Sequence, residues 1–369
     1  MPLEKPIRIN PILLPFSILY GLGVRFRNQL FDWGILRSEQ YPIPVICIGN
    51  LNVGGTGKTP HTEYLIRLLS DQYRTAVLSR GYKRKTSGYL LATAESSAEQ
   101  IGDEPFQMKQ KFPGLTVAVD ENRKRGIRRL MELTENERPQ LILLDDAYQH
   151  RYVTPSFSIL LTDYNRRYYF DRLLPMGRLR EPKCGRNRAN IIIVTKCDPD
   201  MKPIEYRVVE SEINIMSHQN LFFTGICYGN ITPVFESGNP SACLDSLKEK
   251  QVLLVCGIAS PEPFIDEIKR QTEHVTVLNF PDHHVFKRND IKKINDTFDK
   301  LPGEKLILVT EKDAARLKAY PGLSDVLKEH MYYLPIEIDF RLNQEEAFKN
   351  SIINHVDSFE RNRILMQYQ

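Results

Sequence analysis

The sequence feature that most constrains this chain is a glycine-rich segment at residues 45–59, which reads V-I-C-I-G-N-L-N-V-G-G-T-G-K-T. An apolar, β-rich run opens the segment, and apolar residues at helical spacing follow it at residues 60–69. Because glycine has no Cβ, the backbone between these patterns can turn successive N–H groups toward the oxygens of a phosphate. The segment predicts a strand, a nucleotide phosphate loop and a helix whose N-terminal dipole favours the bound anion.

The residues of this loop have distinct expected roles. Lys58 is expected to reach the terminal phosphates of a nucleotide, and the Thr59 hydroxyl a bound magnesium ion. The other positions expected to contact the nucleotide are Asn52, Val53, Gly54, Gly55, Thr56 and Gly57. Asn52 stands where the motif G-x-x-x-x-G-K-[ST] has its first glycine, so the match is imperfect. The alternative is an ordinary glycine-rich turn.

A second motif, L-I-L-L-D-D at residues 141–146, is an apolar strand that ends in two aspartates. After a phosphate loop, such a strand typically supplies carboxylates that hold the nucleotide's magnesium directly or through water. We therefore expect Asp145 and Asp146 at the metal, with a carboxylate pair that caps a turn as the alternative. Gln149 and His150 follow in the same loop, where they could order water or phosphate or be plain loop residues.

Two further loops carry charged residues. The segment R-L-L-P-M-G-R-L-R-E-P at residues 172–182 has arginines that suit an anionic ligand, and its Glu181 could complete a metal shell. The segment I-G-D-E-P-F at residues 101–106 opens a helix, and an acidic pair before a proline is an ordinary helix start. A functional role for Asp103 therefore needs support from elsewhere in the chain.

Strands and helices alternate along the chain, which is typical of a parallel sheet with helices on both faces. We predict an α/β fold with a P-loop NTPase-type, mainly parallel sheet and a second, smaller α/β domain. The 369 residues are enough for two cores. We predict an N-terminal apolar segment at residues 1–35, a P-loop domain at 36–205 and a smaller domain at 206–369 that closes over the active site. The smaller domain would contain the strand at residues 222–228.

Two loops of the predicted smaller domain carry possible chemistry: F-P-D-H-H at residues 280–284 and T-E-K-D at residues 310–313. An isolated His-His pair after a strand is more often structural than catalytic.

T-K-C-D at residues 195–198 loosely resembles the base-reading loop of guanine-nucleotide enzymes. A protein of another class is therefore an alternative, namely a GTP-binding regulatory or metal-delivery P-loop protein, which would prefer GTP and act on a partner protein.

The formal net charge of +4 is small, and Lys and Arg are mixed with Asp and Glu along most of the chain. This balance does not indicate a nucleic-acid partner. The six cysteines are scattered without metal-ligand spacing. We predict no obligate protein partner.

An apolar, uncharged run at residues 11–24 has Arg8 before it and Arg25 and Arg27 after it. Its fourteen residues are fewer than the roughly 20 that a membrane-spanning helix needs. A secretory signal is disfavoured because no small-residue cleavage site follows. The run predicts either a buried helix or a helix that lies in the membrane interface with its arginines among lipid headgroups.

Taken together and in order, seven motifs resemble the tetraacyldisaccharide 4′-kinase family of Gram-negative bacteria over about residues 11–317. They are G-N-L-N-V-G-G-T-G-K-T, S-R-G-Y, G-D-E-P, D-D-A-Y-Q-H, L-P-M-G-R-L-R-E-P, V-T-K-C-D and F-P-D-H. The resemblance implies transfer of the ATP γ-phosphate to the 4′-hydroxyl of a tetraacylated glucosamine disaccharide 1-phosphate. The product would be lipid IVA, made at the cytoplasmic face of the inner membrane, with the apolar run at residues 11–24 contacting the membrane surface.

The same resemblance implies site residues. A catalytic carboxylate at Asp103 would work with a histidine at His283, with Lys58 at the phosphates. The residues implied in magnesium and phosphate handling are Thr59, Asp145, Asp146, Gln149, His150, Arg180 and Glu181. Two positions depart from the family pattern: Ala147 stands where glycine is frequent, and Asn122 stands where an aspartate often precedes the arginine, here Arg123. These departures leave the role of Arg123 open.

Overall fold

The structure, a computed structural model, describes residues 9–236, 241–258, 261–282 and 284–367. Its strands are, in chain order, β1 (Val45–Asn50), β2 (Thr75–Ser79), β3 (Leu90–Leu91), β4 (Thr116–Val119), β5 (Leu141–Asp145), β6 (Phe157–Asp163), β7 (Ile191–Thr195), β8 (Asn220–Tyr228), β9 (Thr232–Pro233), β10 (Gln251–Cys256), β11 (Val275–Asn279), β12 (Lys305–Thr310), β13 (Met331–Leu334) and β14 (Ile336–Phe340). Its α-helices are α1 (Leu14–Asp32), α2 (Lys58–Ser70), α3 (Ala98–Ile101), α4 (Asp103–Lys111), α5 (Arg123–Met131), α6 (Pro203–Ile213), α7 (Glu262–Gln271), α8 (Arg288–Asp299), α9 (Glu311–Lys318), α10 (Asp325–Glu329) and α11 (Glu345–Gln367).

The larger sheet has the strand order β14-β8-β7-β6-β1-β5-β2-β4-β3. Its inner strands are parallel, whereas β14 and β3 pair antiparallel at the two edges. β1 lies between β5 and β6, and Ile48 is in register with Asp145 on one side and Ile159 on the other. Because parallel strands end at the same edge, the loops that follow β1 and β5 leave the sheet side by side.

Helices cover both faces of this sheet, so its central strands are buried on both sides. Val45 of β1 belongs to the same buried cluster as Ile127 of α5. Ile46, the next residue, belongs to a cluster on the opposite face with Leu65 of α2 and Ile352 of α11. This alternation confirms the predicted P-loop-type, mainly parallel sheet with helices on both faces.

The smaller sheet has the order β11-β10-β12-β13-β9, and its strands are parallel apart from the short β9. Buried clusters on its two faces contain side chains from α7 on one side and from α8 and α9 on the other. A second, smaller α/β unit is therefore present, as the sequence predicted.

The chain enters and leaves the smaller unit through strands of the larger sheet. β8 pairs parallel with β7 and antiparallel with β14, and α11 packs on the larger sheet through Phe348, Ile352 and Val356. From the sequence we placed everything between residues 206 and 369, including the strand at 222–228, in the smaller unit. That placement was wrong for β8, β14 and α11. An apolar strand pattern shows that a segment is extended and buried, but not which sheet completes its hydrogen bonds.

α1 extends the predicted apolar helix to Asp32 and rests on the larger unit along a narrow face. Ser17 Oγ donates to the Leu173 carbonyl oxygen at 2.8 Å, and the Tyr20 hydroxyl donates to that of Arg180 at 2.7 Å. The outward face carries large apolar side chains that are between 53% and 67% exposed, namely Phe16, Ile18, Leu19, Leu22 and Phe26. Within the described ranges, α1 and every other helix are too short or too polar to cross a bilayer.

Candidate active site

The glycine loop leaves the carboxyl end of β1 and ends where α2 begins at Lys58, as the sequence predicted. Gly54 and Gly57 have φ angles of +126° and +81°, which glycine adopts far more readily than other residues. Gly55 does not have a positive φ angle of this kind, and a Cβ on Gly55 would meet no atom within 4 Å. The loop therefore has the strand, turn and helix start of a phosphate-binding loop.

Asn52, the departure from the glycine of the motif, ties this loop to the arginine-rich segment. Its buried Nδ2 donates to Asp171 Oδ2 at 2.9 Å. The neighbouring Val53 N–H donates to the Arg178 carbonyl oxygen at 2.7 Å. Glycine has no side-chain amide to make the first of these contacts, so Asn52 adds a side-chain contact to the backbone hydrogen bonds that join the loop to the arginine-rich segment.

Lys58 projects from the first turn of α2 toward the aspartate pair. Its Nζ lies 3.4 Å from Asn50 Oδ1 and 3.6 Å from Asp146 Oδ1. Arg180 Nη1 reaches the two oxygens of the same Asp146 carboxylate at 3.1 and 3.2 Å. Desolvation raises the pKa of Asp146, but Lys58 and Arg180 together outweigh it, so the pKa lies below its ordinary value. Asp146 is therefore an ionised carboxylate between two cations.

Asp145, the neighbouring carboxylate, points into the protein. It is 5% exposed and accepts hydrogen bonds from Thr62 Oγ1 and Ser79 Oγ, both at 3.3 Å. Burial, with the charge of Asp146 as the second cause, raises the pKa of Asp145 to about 6. Two adjacent aspartates thus differ in protonation: Asp146 stays ionised, whereas Asp145 binds a proton just below neutral pH.

Gln149 and Glu181 form a chain of contacts beside the loop. Gln149 Nε2 donates to the Asn50 carbonyl oxygen at 2.7 Å and to Glu181 Oε1 at 2.9 Å. Glu181 is 2% exposed, and its two oxygens accept from Arg188 Nη2 at 3.0 and 2.8 Å. In this arrangement Arg188 compensates the Glu181 charge and Glu181 orients Gln149. The role of Glu181 as a metal ligand stays a prediction.

His150 lies in the same loop, with its ring tilted against that of Tyr152 at a centroid distance of 5.7 Å. Its buried Nε2 has no hydrogen-bond partner among the described residues. Burial, with the guanidinium of Arg123 as the second cause, lowers the pKa of His150 to about 4. The imidazole is uncharged at neutral pH, so it would contact a phosphate as a hydrogen-bond donor and not as a cation.

The departure at Asn122 keeps the local structure of this loop. The Asn122 side chain accepts from the Arg125 N–H at 3.2 Å and caps the N-terminus of α5, a task that aspartate performs equally well. Arg123 is 3% exposed and donates Nη1 to the Asp120 carbonyl oxygen at 2.9 Å. Its burial lowers the pKa of its guanidinium, whereas the nearby charge of Asp145 opposes that shift. A buried guanidinium thus lies near the aspartate pair.

The donors at the glycine loop fit a magnesium ion that arrives with its nucleotide. Mg²⁺ in phosphoryl-transfer sites binds one or two carboxylates and fills its other positions with phosphate oxygens and water. The ionised Asp146, together with Thr59 in the first turn of α2, supplies such donors. In the described ranges no group of three or more His, Cys, Asp or Glu side chains could hold a metal on its own.

Asp103 is the first residue of α4, and α4 begins at the same edge of the larger sheet. A Cβ on Gly102 would lie 3.1 Å from the backbone of Gly81, so the G-D-E-P motif touches the S-R-G-Y turn after β2. The charge of Glu104 also contributes to the raised pKa of Asp145. The fold therefore brings the glycine loop, the aspartate pair and the start of α4 together.

The smaller unit supplies a charged partner to Asp103 that we did not predict. Arg316 Nη2, on α9, donates to Asp103 Oδ2 at 2.7 Å. The only signal in the sequence was its position three residues after the T-E-K-D segment at 310–313. His283, the predicted partner of Asp103, lies outside the described residues; the neighbouring His284 Nε2 lies 2.9 Å from Asp290 Oδ2.

A parallel sheet, a glycine loop with a lysine at the start of the following helix and an aspartate pair at the end of the adjacent strand define a P-loop nucleotide-binding protein. A model of the family described as tetraacyldisaccharide-1-P 4′-kinase matches residues 9–357 of the chain. The chain belongs to this family, which confirms the resemblance predicted from its motifs.

Individual relatives agree with this membership. The tetraacyldisaccharide 4′-kinase of Parabacteroides distasonis is 55% identical over 366 residues, which cover 99% of this chain and 99% of the relative. That of Bacteroides thetaiotaomicron is 53% identical over 367 residues, covering 97% and 96%. A crystal structure of LpxK from Aquifex aeolicus in complex with ATP matches with a TM-score of 0.70 and 32% identity, over 93% of this chain and 98% of that chain.

Proposed function

We propose that the protein transfers the γ-phosphate of ATP to the 4′-hydroxyl of a tetraacylated glucosamine disaccharide 1-phosphate and so forms lipid IVA. The observation that carries the proposal is the family membership across residues 9–357, together with a glycine loop, an aspartate pair and Asp103 at one edge of the sheet. The relative of known structure was solved in complex with ATP, which supports ATP as the phosphate donor.

The donor half of the site uses the glycine loop and the cations around it. Phosphoryl transfer requires positioning and positive charge around the transferred group more than it requires covalent chemistry. Lys58 and Arg180, which both contact Asp146, would supply charge to the phosphates. Thr59, Asp146 and Asp145 would hold Mg²⁺ together with the nucleotide, and the ion would supply further positive charge to the phosphates.

The acceptor half of the site needs a base. A sugar hydroxyl becomes a good nucleophile only as it loses its proton, and a positioned base contributes about 10²–10⁴-fold. We assign this task to Asp103, with His283 as the group that receives the proton from the carboxylate. Support for Asp103 comes from its place at the start of α4, beside the turn after β2 and next to Glu104, whose charge acts on Asp145.

The acceptor carries four acyl chains and stays in a bilayer, so the enzyme must work at the membrane surface. The outward face of α1 presents five large apolar side chains more than half exposed to solvent. This exposed apolar face suits a helix that lies in the interface, and we place the protein at the cytoplasmic face of the inner membrane, bound peripherally.

The experiment that tests the proposal is transfer of ³²P from ATP to purified tetraacyldisaccharide 1-phosphate in detergent micelles. We expect a radiolabelled lipid with one additional phosphate on the distal sugar. GTP offered in parallel at equal concentration tests the alternative of a guanine-nucleotide protein. Absence of labelled lipid with ATP, or transfer from GTP in preference to ATP, would refute the proposal.

A further inference from the structure

The smaller unit contacts the larger one along α4 and α9. Three ion pairs join these helices, with the carboxylate on α4 in two cases and on α9 in the third: Asp103 with Arg316 at 2.7 Å, Glu104 with Lys312 at 2.9 Å, and Lys111 with Glu311. The first pair contains the carboxylate that we assign as the base. Contact between the two units therefore reaches a residue of the proposed reaction directly.

Arg316 is held firmly by its own unit. Its side chain is 10% exposed, and Nη1 donates to the Gly257 carbonyl oxygen at 3.0 Å and to Asp313 Oδ1 at 3.1 Å. Asp313 is fully buried and accepts in turn from the Gly257 N–H at 2.8 Å and from Thr310 Oγ1 at 2.7 Å. Because the guanidinium is planar and one nitrogen is anchored, the direction of Nη2 toward Asp103 is determined by the smaller unit.

The anchor of Arg316 also borders His284. A Cβ on Gly257 would lie 2.8 Å from Asp313 Oδ1 and 3.5 Å from the Cβ of His284. The backbone that holds Arg316 is thus next to the residue that follows the predicted catalytic histidine in the sequence. Movement of the smaller unit would displace Arg316 and His284 together.

We infer that Arg316 is a positioning residue for phosphoryl transfer, which holds the Asp103 carboxylate through Oδ2 when the smaller unit is docked on α4. A carboxylate held in this way keeps one orientation relative to the acceptor hydroxyl. The inference rests on the proposed function, because the acceptor hydroxyl is that of the proposed reaction. The orientation of the Asp103 carboxylate would then depend on the contact between the two units.

The test compares Arg316→Ala, Arg316→Lys and a matched control, Arg270→Ala. Arg270 lies on α7 of the same unit, is 71% exposed and pairs with Glu267 within its own helix. We expect Arg316→Ala to lower kcat roughly 10–100-fold, the size of effect that a base misplaced by about 1 Å produces, with KM for ATP unchanged. Arg316→Lys should recover part of this loss, and Arg270→Ala should match the wild-type enzyme. An unchanged kcat in Arg316→Ala would overturn the inference.

A double-variant cycle separates positioning from a general structural role. If Arg316 acts through Asp103, then Arg316→Ala should have no further effect on the residual kcat of Asp103→Asn. If the two losses multiply, Arg316 acts elsewhere and the inference is wrong. Thermal unfolding of each variant identifies losses that come from misfolding.

Failure of the proposed function and failure of this inference give different experimental results. A wild-type enzyme that transfers no phosphate to the lipid acceptor refutes the proposed function. In that case amide hydrogen exchange of the peptide covering residues 103–111 tests the docking contact without any acceptor. Faster exchange in Arg316→Ala than in Arg270→Ala supports the contact, and equal exchange overturns it.

Discussion

Lys58 Nζ lies 3.6 Å from Asp146 Oδ1, so the lysine expected at the nucleotide phosphates is paired with a carboxylate expected at the magnesium ion. Arg180 shares this carboxylate. If the site is as we propose, a triphosphate would compete with Asp146 for both cations, whereas a bound Mg²⁺ would neutralise the carboxylate and remove the competition.

The first prediction concerns Asp146→Asn and metal removal. In EDTA this variant should bind ATP roughly 2–10-fold more tightly than the wild-type protein, since a partly exposed ion pair contributes about 0.2–1 kcal/mol and two such pairs no longer compete. In Mg²⁺ it should bind ATP more weakly because the carboxylate that we propose as a ligand of the metal is lost. Titration with a fluorescent ATP analogue in both buffers measures the effect, with the exposed Asp325→Asn as control. Weaker binding in both buffers would contradict the pairing argument.

The second prediction concerns the pH dependence of stability. The pKa of Asp145 is about 6 in the folded protein against an ordinary value of 3.8, so the folded state holds the proton more tightly than the unfolded chain. The contribution of Asp145 to the free energy of unfolding therefore falls as the pH rises from about 4 to about 6, and above that pH it stays level. Asp145→Asn removes this cost and should stabilise the protein by about 1–3 kcal/mol at pH 8, since each pKa unit corresponds to about 1.4 kcal/mol. The gain should shrink below pH 6.

Denaturant unfolding at pH 8 and pH 5 measures this difference. Asp325→Asn, with a side chain 90% exposed, serves as the control and should change the free energy of unfolding little at either pH. The Asp145→Asn variant should at the same time lose kinase activity, because it lacks a carboxylate that we propose for the metal site. A less stable Asp145→Asn protein at pH 8 would show that the hydrogen bonds from Thr62 and Ser79 outweigh the buried charge.

The third prediction concerns the base. Asp103→Ala should lower kcat by about two to four orders of magnitude, the range that general-base catalysis contributes. ATP binding should remain close to that of the wild-type protein, because Asp103 lies on α4 and outside the glycine loop. Glu99→Gln, which removes an exposed carboxylate paired with Lys85, is the matched control. Turnover that survives in Asp103→Ala would show that the base is another group.

The fourth prediction compares two glycines of the loop. Gly57→Ala forces a Cβ into a backbone with φ of +81°, which costs about 1–2 kcal/mol for a residue other than glycine, and should lower the melting temperature and weaken ATP binding. Gly55→Ala meets neither positive φ nor a neighbouring atom, so its melting temperature should equal that of the wild-type protein. Differential scanning fluorimetry of both variants is sufficient. Equal destabilisation by the two substitutions would contradict the assigned conformations.

The fifth prediction concerns α1. Replacement of Phe16, Leu19 and Leu22 by serine should reduce the fraction of protein that floats with anionic vesicles at least tenfold, since each apolar side chain that leaves water contributes about 1.5 kcal/mol or more. Nucleotide binding should not change, because these side chains face away from the larger unit. The matched control replaces Ile204 and Val208, which are exposed on α6, by serine. If the wild-type protein, the α1 variant and the α6 control float equally, α1 does not make the membrane contact.

Some of the site was predictable because its residues are close in the sequence. The glycine loop is a contiguous segment whose own backbone is expected to bind phosphate, so the order of residues 52–59 was enough to predict its role. The strand that ends in Asp145 and Asp146 was recognisable for the same reason. Arg316 was not, because its contact with Asp103 spans 213 positions, and no local pattern specifies which cation meets which carboxylate.

By itself, the sequence determined the phosphate loop, the α/β class, the apolar N-terminal helix and, through seven short motifs, the family. Each of these depends on residues within one turn or one strand of each other. Only the tertiary structure decided that β8 and β14 complete the larger sheet, that Asp145 is buried and Asp146 ionised, and that Arg316 holds Asp103. Sheet pairing, burial and ion pairing are set by segments distant in the chain, whose free energies are gained only when the fold brings them together.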